Sequence, residues 1–189
     1  TAAQTNITSL GTLSGLTVSG EASVTTLDIG GTDVTSTATE LNVLDGALKE
    51  NNSIWIGSDP SSTTDNALSS IAFGKTALDA ITTGDYNTAL GYDALTNQTT
   101  GNNNVAIGYE ALRDNSTTSQ NVAIGMSALQ ESNAAGNVAI GANAMRGTTN
   151  TAITGGENVA VGSSALKLNI GGASNTAIGK ASLASNTDG

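Results

Sequence analysis

A short apolar pattern recurs along most of the chain and constrains its fold more than any other feature of the sequence. Its clearest copy runs from Asn104 to Leu112 and reads NVAIGYEAL. The glycine shared by all copies follows the previous one by 16, 17 or 21 residues. A unit this short cannot close a hydrophobic core alone, so successive units must stack as coils of a β-solenoid. The aligned glycines are Gly57, Gly74, Gly91, Gly108, Gly125, Gly141, Gly162 and Gly179.

The three residues before each glycine predict a β-strand. The first is β-branched in every copy, the second is Ala in all copies but the first, and the third is large and apolar. Alternate side chains of a strand point to opposite faces. We assign the β-branched and Ile columns to the inside of the coil, and the Ala column to the opposite face. The predicted coil-core residues are Val105, Ile107, Leu112, Val122, Ile124 and Leu129.

The Ala column then predicts an interface between chains. A flat apolar stripe is not expected to stay in water, and small side chains allow another copy to approach closely. The alternative is an Ala column that merely tolerates solvent. We expect identical chains to pack along these residues around a shared axis, with Trp55 as a plug where the roll begins. The predicted contacts are Trp55, Ala72, Ala89, Ala106, Ala123, Ala139, Ala160 and Ala177.

The rest of each unit predicts a turn, a second strand and a polar loop. Two variable columns follow the glycine and indicate a turn in solvent, and the Ala-Leu pair after them favours a second short strand. An Asn precedes most of the first strands, as Asn104 does. Stacked side-chain amides could bond along this column as a ladder; the alternative is that these Asn residues only serve the turn.

The N-terminal part of the chain has a different organisation. Residues 1–36 show short alternating segments between glycines and predict a β-rich shaft or attachment segment. Thr37 to Glu40 form a capping-box pattern, so residues 37–52 predict a short helix and linker. Its leucines are expected to meet symmetry mates, although packing on their own chain is the alternative. Residues 53–189 are predicted to form the roll of about eight coils. The helix adds Leu41, Leu44 and Leu48 to the predicted interface.

Composition and charge exclude most chemistry. The 189 residues carry a net charge of -10 and include no His and no Cys, which removes the usual triads, zinc sites and thiol nucleophiles. An acidic chain with six Lys and Arg is a poor partner for nucleic acid. No apolar run is long enough to cross a membrane. We predict a protein that is not an enzyme, holds no metal or cofactor and does not insert into membranes.

Two surface features are candidates for contact with a receptor. Tyr92 and Tyr109 share a turn column with Tyr86 nearby, and their rings could serve a sugar, although they could equally be ordinary exposed tyrosines. The stretch from Arg146 to Glu157 interrupts the period and is predicted to protrude, and loops carry recognition more often than the scaffold beneath them. A tolerated insertion without function is the alternative. The candidate contacts are Tyr86, Tyr92, Tyr109, Thr148, Thr149 and Asn150.

The repeat resembles the left-handed parallel β-roll of trimeric adhesin heads and similar repeats of bacteriophage tail-fibre proteins. The segment GGTDVTSTATELNVLDG, residues 30–46, looks like a recurring element of marine phage fibre and virion proteins. The resemblance implies an all-β homotrimeric fibre segment of a virion that meets other virion proteins and supports binding to a glycan or protein receptor of the host surface. A bacterial trimeric surface adhesin and a self-stacking extracellular filament are the alternatives.

Overall fold

The computed structural model describes residues 27–29, 32–34, 47–50, 53–57, 67–148 and 151–188. The chain divides into two units, Thr1–Thr37 and Ala38–Gly189. In the first unit, strands β1 (Leu27–Ile29) and β2 (Thr32–Val34) form an antiparallel pair. The other residues of the predicted shaft lie outside the described part of the chain.

The second unit is built on one sheet of nine short strands. Eight of them, β4 to β11, contain the residues before the aligned glycines and pair in parallel, and β3 pairs antiparallel with β4. The strands are β3 (Ala47–Glu50), β4 (Ser53–Gly57), β5 (Ile71–Gly74), β6 (Thr88–Leu90), β7 (Val105–Ile107), β8 (Val122–Ile124), β9 (Val138–Ile140), β10 (Val159–Val161) and β11 (Thr176–Ile178).

The predicted parallel β-solenoid is confirmed. Equivalent residues of neighbouring copies pair directly, as Ala89 does with Ala106 and Ala106 with Ala123. Between β5 and β11 the chain makes about six complete turns, and a strand is present at each of the eight predicted copies, β4 to β11. The segment between β4 and the residues leading into β5 lies outside the described residues.

The predicted second strand is wrong, because the Ala-Leu segment is a turn. The backbone there adopts positive φ at alternate residues, 53° at Glu110 and 51° at Leu112, whereas a strand needs extended backbone. A bulky residue in this conformation costs about 1–2 kcal/mol. The hydrogen bond from Leu112 N to Ala128 O of the next coil, at 3.0 Å, and full burial of the side chain offset that cost.

The glycine column is fixed by the close approach of coils. Gly108 has a φ of 136°, which favours glycine, and a Cβ added to it would lie 2.6 Å from the carbonyl oxygen of Gly125. No real side chain tolerates that distance from backbone. The period seen in the sequence therefore marks a corner where the backbones of successive coils approach each other closely.

The predicted helix over residues 37–52 is wrong for its described part, because Ala47–Glu50 is strand β3. Leu48 pairs with Trp55 in the antiparallel register, and cross-strand pairing with β4 satisfies this backbone in place of helical bonds. Leu41 and Leu44 lie outside the described residues. A strand that runs against its neighbour thus begins the sheet of the second unit.

The predicted Asn ladder along the stack is confirmed, and it is formed by side-chain oxygens that accept hydrogen bonds from the next coil. The backbone amide of Asn121 donates to Oδ1 of Asn104 at 3.0 Å, and the backbone amide of Asn104 in turn donates to Oδ1 of Asn87 at 2.9 Å. Nδ2 of Asn104 donates to the carbonyl of Thr118 at 2.9 Å. These side chains are fully buried, so each one satisfies backbone groups that water cannot reach.

Candidate functional site

The Ala column lies inside the coil, and its assignment to a partner-facing surface was wrong. Each of these side chains is at most 2% exposed within the single chain, and all belong to one core cluster with the Leu column. The interior of so short a coil is narrow, so the smallest strand residue faces it opposite Leu. The residues that lie in the interior, contrary to the prediction, are Ala72, Ala89, Ala106, Ala123, Ala139, Ala160 and Ala177.

Of the six predicted coil-core residues, two are buried and four lie on the outer side of the sheet. Leu112 and Leu129 are fully buried. Val105, Ile107, Val122 and Ile124 are only half-buried, because they alternate with the buried Ala residues and point to the outer side of the sheet. The side chain of Trp55, predicted as a plug, lies outside what the structure describes.

The outer side of the parallel sheet is consequently a continuous apolar surface. It consists of the residues on either side of each buried Ala, and we call it the outer sheet face. Six steps of about 4.8 Å make it about 29 Å long. Phe73 is 53% exposed and Ile178 is 71% exposed. Its members are Ile71, Phe73, Thr88, Leu90, Val105, Ile107, Val122, Ile124, Val138, Ile140, Val159, Val161, Thr176 and Ile178.

Tyr92 and Tyr109 stack on one another beside this face. Their ring centroids are 5.6 Å apart and the planes differ by 10°, so each ring covers one face of the other. A hydrogen bond and the charge of Glu110 raise the pKa of Tyr109. Tyr86 lies at the opposite end of strand β6 from Tyr92, so the structure does not bring the three candidate receptor tyrosines together.

Charged side chains link coils on the turn side. Nη1 of Arg113 lies 3.3 Å from Oε2 of Glu110, and Nη2 of Arg113 lies 2.6 Å from Oδ2 of Asp114. Gln130 donates to Glu110 at 2.6 Å and accepts from Arg146 at 2.9 Å, so a hydrogen-bonded chain crosses three coils. The hydrogen bond to Asp114 raises the pKa of Arg113. These contacts join partly exposed charged groups through the buried side chain of Gln130.

The inserted stretch after Arg146 is bound into the solenoid on both sides. Ile153 is fully buried, its amide donates to Glu131 O at 2.8 Å, and its carbonyl accepts from Asn133 N at 2.8 Å. Thr154 N donates to Ile170 O of the next coil at 2.7 Å. The described part of the insertion therefore fills the stack, whereas the sequence predicted that it would protrude.

Only one of the three candidate receptor residues in the insertion is described. Thr148 is half-buried and exchanges backbone hydrogen bonds of 3.3 and 3.0 Å with Thr151. Thr149 and Asn150, between them in sequence, lie outside the described residues. Their contact with a receptor stays a prediction.

The described residues include no group of three or more acidic, His or Cys side chains placed to hold a metal ion. Within the same ranges, no helix is long and apolar enough to cross a bilayer. No protein-family model, curated protein or solved structure was found to match the chain. The function of the chain is therefore inferred from the repeat, its resemblance and the surfaces described above.

Proposed function

We propose that the chain is a structural segment of a homotrimeric virion fibre, in a tail fibre or a similar surface appendage, that projects and supports host-receptor binding. The outer sheet face carries the argument. Parallel sheets normally have both faces covered, and here one face packs on the coil interior while the other is open along the whole stack. A large exposed apolar surface indicates an interaction site.

Identical chains are the partner that this surface favours. The outer sheet face contains only Ile, Val, Leu, Phe and Thr, so it offers no charge to select a different partner by complementarity. Each coil places one outer residue on either side of its buried Ala, and a second copy of the chain would present the same repeat along the same axis. Three copies are proposed because of the resemblance to trimeric β-rolls.

The acidic charge supports a soluble assembly with a defined number of chains. A net charge of -10 keeps an elongated assembly soluble and repels further association once the apolar faces are covered. The stacked coils resist unfolding through backbone bonds that run from coil to coil, such as Val105 N to Asn121 O at 2.8 Å. The protein would act mechanically, as a spacer that presents a binding tip.

The mass in solution tests the proposal. Sedimentation equilibrium of the full chain should give about three times the 18.6 kDa of one chain. Ile124→Glu places an unpaired charge on the outer sheet face and should dissociate the trimer while the circular dichroism of the sheet persists. Thr100→Glu adds the same charge on the exposed loop side and should leave the trimer intact. A stable wild-type monomer would refute the fibre.

A further inference from the structure

The sequence of coil lengths creates a groove on the loop side of the solenoid. The glycine spacing falls to 16 residues between Gly125 and Gly141 and then rises to 21 before Gly162. Where these coils meet, a cavity of about 510 Å³ opens that includes Asn133, Ala135 and Glu157 in its lining. Binding sites for small molecules have volumes of about 300–1,000 Å³.

Two backbone amides of the groove lining are satisfied within their own coil. Thr118 N donates to Oδ1 of Asn115 in its own coil at 3.3 Å, and Ala134 N donates to Oγ of Ser132 at 3.3 Å. In the regular part of the stack the equivalent amide of Gly84 donates to Thr99 of the next coil at 3.2 Å. Other lining residues remain bonded between coils, since Glu157 N donates to Ala135 O at 3.2 Å, so the groove is a depression on the surface of a bonded stack.

The lining combines an apolar part with two polar side chains. Ala134, Ala135 and Ala173 supply methyl groups. Asn133 and Glu157 are exposed at the same groove, and among the described residues no group hydrogen bonds to either side chain. The amide both donates and accepts hydrogen bonds, and the carboxylate accepts them with two oxygens.

We propose that this groove, which we call the Asn133–Glu157 groove, binds a neutral saccharide unit of the host surface. Adjacent sugar hydroxyls can donate to the carboxylate and exchange hydrogen bonds with the amide, while the C–H side of the ring contacts the Ala methyls. The lining has one carboxylate and no Lys or Arg, and the chain is acidic, so an anionic sugar is repelled. The inference rests on the proposed role in host attachment.

A printed array of neutral and sialylated oligosaccharides tests the groove with the full chain. We expect binding to neutral glycans, strengthened by several chains on one assembly. Glu157→Gln should lower the signal at least about tenfold, since it removes the charged acceptor. Asp79→Asn removes the same charge from an exposed site outside the groove and should leave the signal unchanged.

A second pair of variants separates the groove from general damage. Ala135→Trp fills the groove and should abolish binding, whereas Thr117→Trp adds the same bulk at an exposed loop position outside the lining and should not. Melting temperatures of both variants should match that of the wild type. Retention of sialylated glycans alone, no retention at all, or equal signals from Glu157→Gln and Asp79→Asn would overturn the inference.

Sedimentation of the same samples keeps the two proposals apart. A trimer that binds no neutral glycan would refute the groove and leave the fibre standing. A monomer that binds neutral glycans through Glu157 would refute the fibre and leave the groove as a saccharide site.

Discussion

The inner and outer sides of the same three-residue strands differ in the size and the burial of their side chains. Ala106 is fully buried between neighbouring coils, while Val105 and Ile107 on either side of it are only half-buried. The inner side accepts nothing larger than a methyl group, because Leu residues fill the space opposite. The outer side carries larger residues that find too little cover within one chain. The difference teaches that the coil core is complete in the monomer, and that the outer sheet face is where an assembly would gain stability.

Ala123→Glu, on the inner side, should cause the largest loss of folding stability. The side chain at this position has no exposed area, and a charge there would have no partner. We expect a loss of more than about 4 kcal/mol and unfolding of the roll, seen as lost sheet signal in circular dichroism. Ile124→Glu, the next residue along, should keep the fold and lose only the assembly. If both variants stayed folded, the assignment of faces would be incorrect.

Asn104→Ala tests how much the buried ladder contributes. It leaves Asn121 N and Thr118 O without their hydrogen bonds, and we expect a loss of about 2–4 kcal/mol in urea unfolding. Asn97 is an exposed amide that donates to Asp114 at 3.1 Å, so Asn97→Ala should cost less than about 1 kcal/mol. Equal losses from the two variants would show that the buried amides have no special role.

Gln98→Ile should have the smallest effect, a stabilisation. Gln98 is fully buried with neither amide atom hydrogen bonded, and the equivalent position of the preceding coil is Ile81. Removing this polar group should raise the free energy of unfolding by about 1–2 kcal/mol. Asn115→Ile is the matched control in the next coil. It should destabilise the protein, because Oδ1 of Asn115 accepts hydrogen bonds from Thr118. A loss of stability in Gln98→Ile would refute the interpretation.

The repeat and strand positions could be predicted from the glycine spacing, and the correct face of each strand was also within reach. Asn104 and Ala106 are two residues apart, so a buried Asn ladder places Ala on the same, inner side. Tyr109, which was expected in solvent, is two residues after Ile107, so the alternation places Ile107 on the outer side as well. The error came from treating hydrophobicity alone as the sign of burial, although a coil of 17 residues holds little volume.

Other features depend on contacts that no local pattern reveals. Leu112 prefers negative φ, and only its bond to Ala128 of the next coil and its burial keep it in the left-handed region. Ile153 enters the core from an insertion that reads as a polar loop. The Asn133–Glu157 groove needs a short coil beside a long one, and its lining residues are distant in sequence. The conformation of Leu112, the burial of Ile153 and the groove all depend on hydrogen bonds and packing between residues distant in sequence.

The hydrogen bonds between coils are oriented along the axis of the stack, and this has a mechanical consequence. At one junction Val105, Leu112 and Asp114 donate to Asn121, Ala128 and Gln130 of the following coil. Tension along the axis stretches all such bonds of a junction simultaneously, so they share the load, while a sideways pull would peel them apart singly. At the level of Thr118 the amide is engaged within its own coil, whereas the equivalent amide of Gly84 donates to Thr99 of the next coil, so axial load is shared by one bond fewer there.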